Sequence, residues 1–443
     1  MKAIYIYSKK QMVGVTDKVK KRLEQVVDQA MLRIDLESAQ NPELRRAIQI
    51  VEVFLAKSGR VCYGGQAINA QLPQKDQFYD SSRSLPDYDF FSPEAEHDTD
   101  KLIETLREAG YNEISKRIGI HDGTIKIYVN YTAIADISQM IPEFYDIVYK
   151  KSSVVNGIHY ADPLFLRMLM FLELSRPRGQ VERWDKVFDR LKLLDQAHPL
   201  FKCKNKYPQI TTSKEAEQLR PHIIRYMIKH NRVFMGADIH SIYKASGDGK
   251  STETRTQFLL KGKAPVVFFS PNAEKDAQMI SDMTATVIED VLGYQNMLPA
   301  MLILKKDDVP VCVIVQEEAC HSTITIPLTK GRHLRMASLD TLLTFLIGLY
   351  YRPDSLLMTQ ESLLCWIRHY IDLSNRYKTR PTKLFPAFSI ECAGYQTSFA
   401  SLLRAKAARI QAARQRLSSG RYSMTRAKKL LDFGTRRTRR RLI

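Results

Sequence analysis

Leu44, Ala47, Ile48, Val51, Phe54 and Leu55 follow the three-and-four spacing of one buried helix face, and Gly59 ends the run. RVCY, from Arg60, then reads as a short strand, Gly64 and Gly65 as a turn, and QAINAQL as a second helix. DYDFF, from Asp87, has the aromatic, alternating character of a strand, and HDTDKLIETLREAGY that of a helix with Gly110 near its end. The stretch TIKIYVNYTAIADIS alternates apolar and polar positions and predicts one or two strands of the same sheet. DPLFLRMLMFLELSRP predicts a mostly apolar helix stopped near Pro177.

Much of this order returns downstream. FFSP at Phe90 to Pro93 recurs at Phe268 to Pro271, with Pro265 and Val267 where the first copy has Asp87 and Asp89. Phe234 to Ile239 stand where CYGGQAIN stood, EKDAQMISDMTATVIEDV resembles the following helix, VPVCVIVQEEA offers a strand, and MASLDTLLTFLIGLYYRP parallels YADPLFLRMLMFLELSRP. The offsets are 172 from Gly64 to Gly236, 178 for FFSP and 176 from Pro177 to Pro353, and colinear matches at so steady an offset argue for duplication. The expected plan is an α/β (α+β) chain. A helical region (1–58) precedes a first unit (59–178), a helical connector (179–230), a degenerate second copy (231–355), a C-terminal helical region (356–403) and a basic tail (404–443). Trp184 and Trp366 are expected in the core.

Charge adds the next constraint. The 67 Lys and Arg against 48 Asp and Glu give a net charge of +19. From Arg404 onward, 14 basic residues face the single acid Asp432. Such an excess suits a polyanion, most often nucleic acid, with a nuclear address or a solvated tail as the plainer readings. Basic residues of the second copy, Lys244, Lys250, Lys261 and Lys263, are compatible with RNA and equally with a solvated face. The longest apolar runs fall short of a membrane span, and the start lacks a secretory signal. Six cysteines form no disulfide-rich pattern, Cys312, Cys320 and His321 have no zinc-knuckle spacing, and a reducing compartment is expected.

Asp87 and Asp89 project from one side of their strand, with Tyr88 on the other. Two adjacent carboxylates repel and are most economically explained by divalent cations. Asp136 offers a third from a neighbouring strand, although spacing alone suits a strand-end cap equally well. Gly64 and Gly65, between strand and helix, can bring backbone amides to a phosphate. A glycine pair alone is usually a turn and a lone DxD usually a strand edge; together, in this order, they suggest a metal-bound triphosphate.

GGQAIN, DYDFF and ADIS resemble the motifs of the polymerase-β-like nucleotidyltransferase superfamily. More narrowly, YGGQAIN with DYDFFSP and a degenerate second copy is similar to the poly(A) polymerase catalytic subunits of poxviruses and other large cytoplasmic DNA viruses. The resemblance covers about residues 40–355. It implies tandem nucleotidyltransferase-like domains and a template-independent adenylyltransferase that adds poly(A) to mRNA 3′ ends from ATP with Mg²⁺ or Mn²⁺. Asp87 and Asp89 would bind both metals. Asp136 would hold the catalytic one and help to deprotonate the primer 3′-hydroxyl. Gly64 and Gly65 would hold the ATP phosphates, with Gln66 and Asn69 beside them; Gln66 departs from the family, where Ser often follows the glycines. The partners it implies are an RNA 3′ end, ATP and either a second copy of the chain or a processivity subunit, in host cytoplasm or packaged in a virion. The rivals are a uridylyltransferase or oligoadenylate synthetase, and a non-catalytic RNA-binding subunit. The intact acids argue against the last.

Overall fold

The computed structural model describes residues 17–418 except 122, 201, 204–212, 237–238, 248–250, 295–296, 353–357 and 398. Much of the basic tail, with Ala237, Asp238, Lys250 and Pro353, therefore lies outside the described residues.

The first unit runs α1 (Asp17–Gln40), α2 (Pro42–Ser58), β1 (Val61–Tyr63), α3 (Gly64–Ala70), β2 (Tyr88–Ser92), α4 (Ala95–Glu108), β3 (Ile114–Ile118), β4 (Thr124–Val129), β5 (Thr132–Gln139), α5 (Pro142–Lys151), β6 (Ser153–Val155), β7 (Ile158–Tyr160) and α6 (Pro163–Leu174). α7 (Trp184–Ala197) and α8 (Lys214–Lys229) connect it to β8 (Val233–Phe234), α9 (Ile239–Gly247), α10 (Thr252–Leu260), β9 (Val266–Ser270), α11 (Ala273–Thr284), β10 (Val287–Val291), β11 (Met301–Lys306), β12 (Val309–Gln316), β13 (His321–Pro327), β14 (His333–Ala337) and α12 (Leu339–Tyr350). α13 (Gln360–Thr379), β15 (Cys392–Ala393) and α14 (Phe399–Ser418) follow.

The fold is mixed α/β, as the sequence pattern predicts. α2 buries all six residues of its predicted face, Asn41 caps its start and Gly59 ends it in the left-handed conformation. The first sheet has the order β3-β4-β5-β2-β1-β7-β6, and the second β10-β11-β12-β9-β8-β14-β13-β15. Apart from the added β15, these are the same sheet built twice. Register agrees as well: Val61 faces Phe91 and Cys62 faces Phe90, while Val233 faces Phe269 and Phe234 faces Phe268.

The repeated FFSP keeps more than apolar bulk. Ser92 Oγ accepts from Glu94 N (2.9 Å) and donates to Asp98, whose carboxylate receives Arg60 Nη2 at 3.1 Å. Gln139 closes the turn by accepting from Ala95 N and donating to Pro93 O. In the second copy, Ser270 accepts from Asn272 N (3.0 Å), Arg232 grips Asp276 at 2.6 and 2.9 Å, and Gln316 accepts from Ala273 N and donates to Pro271 O. The buried carboxylate is thus paired and hydrogen-bonded in both copies, the condition for keeping a charge inside.

The halves meet through α6 and α12, the two matching apolar helices. Tyr351 Oη donates to the Asp162 carboxylate at 2.6 and 2.7 Å, and Ser322 N donates to Ser175 O. Trp366 is in the core and Trp184 is half-buried. Although the cysteines form no disulfide-rich pattern in the sequence, disulfides join Cys203 to Cys365 and Cys320 to Cys392. The partners lie 162 and 72 residues apart, so spacing along the chain could not reveal them. Among the described residues, no helix is long and apolar enough to cross a membrane.

Candidate active site

Tyr88 is buried and donates from its hydroxyl to Glu52 of α2, so the residues alternating with it, Asp87 and Asp89, take the opposite face. β2 and β5 pair in parallel with Asp89 directly beside Asp136. The three carboxylates feel one another: the Asp89 carboxyl is pushed up to about 7 by burial first, then by Asp87 and Asp136, against the opposing pull of Lys126 and Arg183. Asp87 reaches solvent at the rim, yet neighbouring protein desolvates it, and with Asp136 raises its pKa too. Lys126 Nζ donates to Asp136 Oδ2, while Asp136 Oδ1 is buried with no hydrogen-bond partner among the described residues. Burial disfavours the Lys126 ammonium, but the bond and charge of Asp136 outweigh it and hold its pKa up.

Among the described residues no three His, Cys, Asp or Glu side chains form a ready-made metal cage. The donors nevertheless fit a hard divalent cation. They are all carboxylate, Asp136 raises the pKa of Asp87 and together with Asp87 that of Asp89, and one oxygen is buried without a partner among the described residues.

The glycines explain themselves by contact. Gly64 has φ +74, and a Cβ there would lie 2.5 Å from Asp89 Oδ2. A Cβ on Gly65 would lie 2.7 Å from Tyr79 Oη and 2.8 Å from Arg190 Nη1. Arg190 of α7 donates to Tyr79 Oη at 2.6 Å and stacks over Phe78 at 4.6 Å. This cation beside the glycine turn carried no signal in the sequence, because only the fold brings α7 there. Of the two remaining expected residues, Gln66 has a buried side-chain oxygen with no partner among the described residues. Asn69 is buried, and its side-chain oxygen accepts from Phe78 N and Tyr79 N at 2.8 and 2.9 Å, so it holds the Phe78–Tyr79 loop over the glycines.

Among its described residues, the second sheet has no acids at the matching positions. Val313 pairs with Val267 where Asp136 pairs with Asp89, and both valines are buried.

Residues 49–180 match the family model of the poly(A) polymerase catalytic subunit. The resemblance carried by YGGQAIN and DYDFFSP holds across the segment that contains Asp87, Asp89 and Asp136. Over 163 residues the chain is 31% identical to a putative poly(A) polymerase catalytic subunit of Acanthamoeba polyphaga mimivirus, covering 36% of this chain and 27% of the relative. Over 187 residues it is 27% identical to the protein of the same description from African swine fever virus (isolate Tick/Malawi/Lil 20-1/1983), covering 41% and 39%. The matched region thus spans between about a quarter and two-fifths of those relatives. In fold the chain is similar to the crystal structure of the Megavirus polyadenylate synthase, with TM-score 0.72 and 19% identity over 94% of this chain and 86% of that one. The likeness in fold therefore extends well beyond the matched sequence segment.

Proposed function

We propose that the chain is a template-independent polynucleotide adenylyltransferase that lengthens an RNA 3′ end from ATP. The observation that carries this reading is the side-by-side placement of Asp89 and Asp136 next to Gly64 and Gly65, in the segment that resembles poly(A) polymerase catalytic subunits. Asp87 and Asp89 would hold two divalent ions, and Asp136 would hold the one nearer the primer. Such ions offset triphosphate charge and make the primer hydroxyl more acidic. The chain's own residues do the rest. Gly64 and Gly65 leave room for the phosphates and Arg190 faces their negative charge, while Asn69 keeps the overlying loop in place. The primer 3′-oxygen attacks the α-phosphorus as the bond to the β-phosphate breaks and pyrophosphate leaves. The hydroxyl proton passes to Asp136 or to solvent beside it.

In this reading residues 59–178 are catalytic, 231–355 are a scaffold that has lost its acids, and 179–230 supply Arg190. The relatives are named catalytic subunits, which favours a processivity partner, and their sources favour a role for this chain in infection by a large DNA virus. The test uses the purified full chain, a labelled RNA primer and each nucleoside triphosphate separately with Mg²⁺ or Mn²⁺. A ladder with ATP alone is expected. Preferential UTP addition, or no extension under any condition, would overturn the assignment.

A further inference from the structure

The acids belong to a longer polar row. Registers across four strands put Arg117 of β3 opposite Lys126 of β4, Lys126 opposite Asp136 of β5, and Asp136 beside Asp89 of β2. Paired positions share a face of the sheet, so all four residues lie on the active-site side. The duplicated sheet supplies an internal control. Its row at the same registers is Glu289, Ile303, Val313 and Val267. Lys126 and Arg117 are thus replaced in the same copy that replaces the acids.

The outer end of the row differs in kind. In the second copy Glu289 forms an ion pair with Lys305, which fills the edge. In the first copy the corresponding diagonal pair is Arg117 over the ring of Tyr128 at 4.3 Å, a half-exposed aromatic, and Arg117 has no carboxylate partner among the described residues. Lys116, pointing to the other face, is held by Glu96 and Asp100 at 3.2 and 2.9 Å. The acids near this edge thus serve the other face, and Arg117 stands on the active-site face without one among the described residues. At the tip of the β4–β5 hairpin, Asn130 and Tyr131 have φ 46 and 65, and Tyr131 is 79% exposed. The second copy turns the same corner with Asp307 and Asp308, residues that tolerate positive φ. A bulky aromatic in that conformation, facing water, costs stability without a folding gain.

In-line displacement fixes which ligand belongs here. Pyrophosphate must leave toward Gly64, Gly65 and Arg190, on the β1 side of the acids, so the attacking hydroxyl must enter from the opposite side, over β5, β4 and β3. We infer that Arg117 and Tyr128, with Tyr131 at the hairpin tip, form the subsite for the 3′-terminal nucleotides of single-stranded RNA: Arg117 takes a backbone phosphate and Tyr128 stacks a base. Arg117 stands two strands from Asp136, roughly 10 Å at ordinary strand spacing, within reach of a nucleotide whose 3′-oxygen is at the acids. This inference rests on the nucleotidyl-transfer reading above.

The test compares the full chain with Arg117→Gln, Tyr128→Leu, Tyr128→Phe and Tyr131→Asp, in steady-state kinetics and in fluorescence anisotropy with labelled oligo(A). Loss of one stacked base or one phosphate contact should raise the Kd and KM for RNA roughly tenfold in Arg117→Gln and Tyr128→Leu. Tyr128→Phe should stay near wild type, and Tyr131→Asp should weaken RNA more mildly. The KM for ATP and kcat should stay within about twofold, and the salt slope of binding should become shallower by about 0.7 in Arg117→Gln. Unchanged RNA affinity in both Arg117→Gln and Tyr128→Leu would overturn the subsite, as would a rise in the KM for ATP instead. If the wild type adds no nucleotide to any RNA, the enzymatic reading fails, while the anisotropy arm still decides whether this edge holds RNA.

Discussion

Asp89→Asn should make the metal-free protein more stable while removing its activity. With its carboxyl pushed up to about 7 by burial and by Asp87 and Asp136, Asp89 binds its proton more tightly in the folded chain than in the unfolded one, where its pKa is near 3.8. The sign follows from linkage. Below about pH 4 both states are protonated and the carboxyl has no penalty; as pH rises from there through 7, folding must hold a proton that the unfolded chain gives up, and stability falls. A shift of about three units corresponds to about 4 kcal/mol at pH 8, and sharing of charge among three acids reduces this toward about 2. Asparagine carries no such penalty. Chemical denaturation in EDTA should therefore show the variant gaining about 2–4 kcal/mol over wild type at pH 8 and almost nothing near pH 4. Divalent cation should close most or all of that gap. At about a hundred times its Kd, Mg²⁺ should add roughly 2.7 kcal/mol to wild type and little to the variant, and below pH 7 its apparent affinity should fall as protons compete. A variant destabilised at pH 8 in EDTA, or a difference that does not change with pH, would refute the account of Asp89 as an acid strained for metal.

Other consequences can be checked with the same protein. Asp136→Asn should lower AMP incorporation by more than about a hundredfold, beyond the loss usual for groups that only orient a ligand, with RNA binding by anisotropy intact; near-normal activity at saturating metal would remove Asp136 from the site. Gly65→Ala pushes a methyl into Tyr79 Oη and Arg190, so the KM for ATP should rise severalfold while RNA affinity holds. Val267→Ala, at the scaffold position matching Asp89, should cost about 1–3 kcal/mol in denaturation and leave kcat per folded molecule unchanged. Replacing Cys320 or Cys203 by Ser should cost about 2–4 kcal/mol under oxidising conditions and nothing further once dithiothreitol has reduced the wild type.

The parts of this molecule legible from sequence are those encoded locally. The buried face of α2, the β2 strand with Tyr88 opposite its aspartates, and the order of the two copies all follow from periods of two or three to four residues. The hairpin of β6 and β7 was not legible, since strands of three residues carry no alternation to read. Nor was β3, whose ISKRI is largely exposed. The Arg60–Asp98 and Arg232–Asp276 pairs did leave a trace, an Arg-Val step opening the first strand of each copy. Asn69 lies within the motif that suggested ATP, yet its side chain is spent on the loop above the glycines. Arg190 lies more than a hundred residues from its neighbour Tyr79, and no local pattern reports such a meeting.

The two sheets also separate what the fold needs from what the chemistry needs. A side chain retained in both copies at matching register must serve folding, because only one copy has acids to support. Ser92 and Ser270, Arg60 and Arg232, Asp98 and Asp276, and Gln139 and Gln316 fall in that class: each closes a buried polar network that would be costly to leave half-satisfied. A polar side chain present in one copy and replaced at matching register in the other is not required by the sheet. Asp89, Asp136, Lys126 and Arg117 are in this second class, and buried valines at two of the four matching positions show that the sheet closes without carboxylates there. Stability runs against the acids, since burial first, and neighbouring acids after it, raise the pKa values of Asp87 and Asp89. Under the nucleotidyl-transfer reading proposed above, a metal-bound nucleotide is what would retain them in the first copy, and the second sheet, with Val313 and Val267 at those positions, has no carboxylates to engage one.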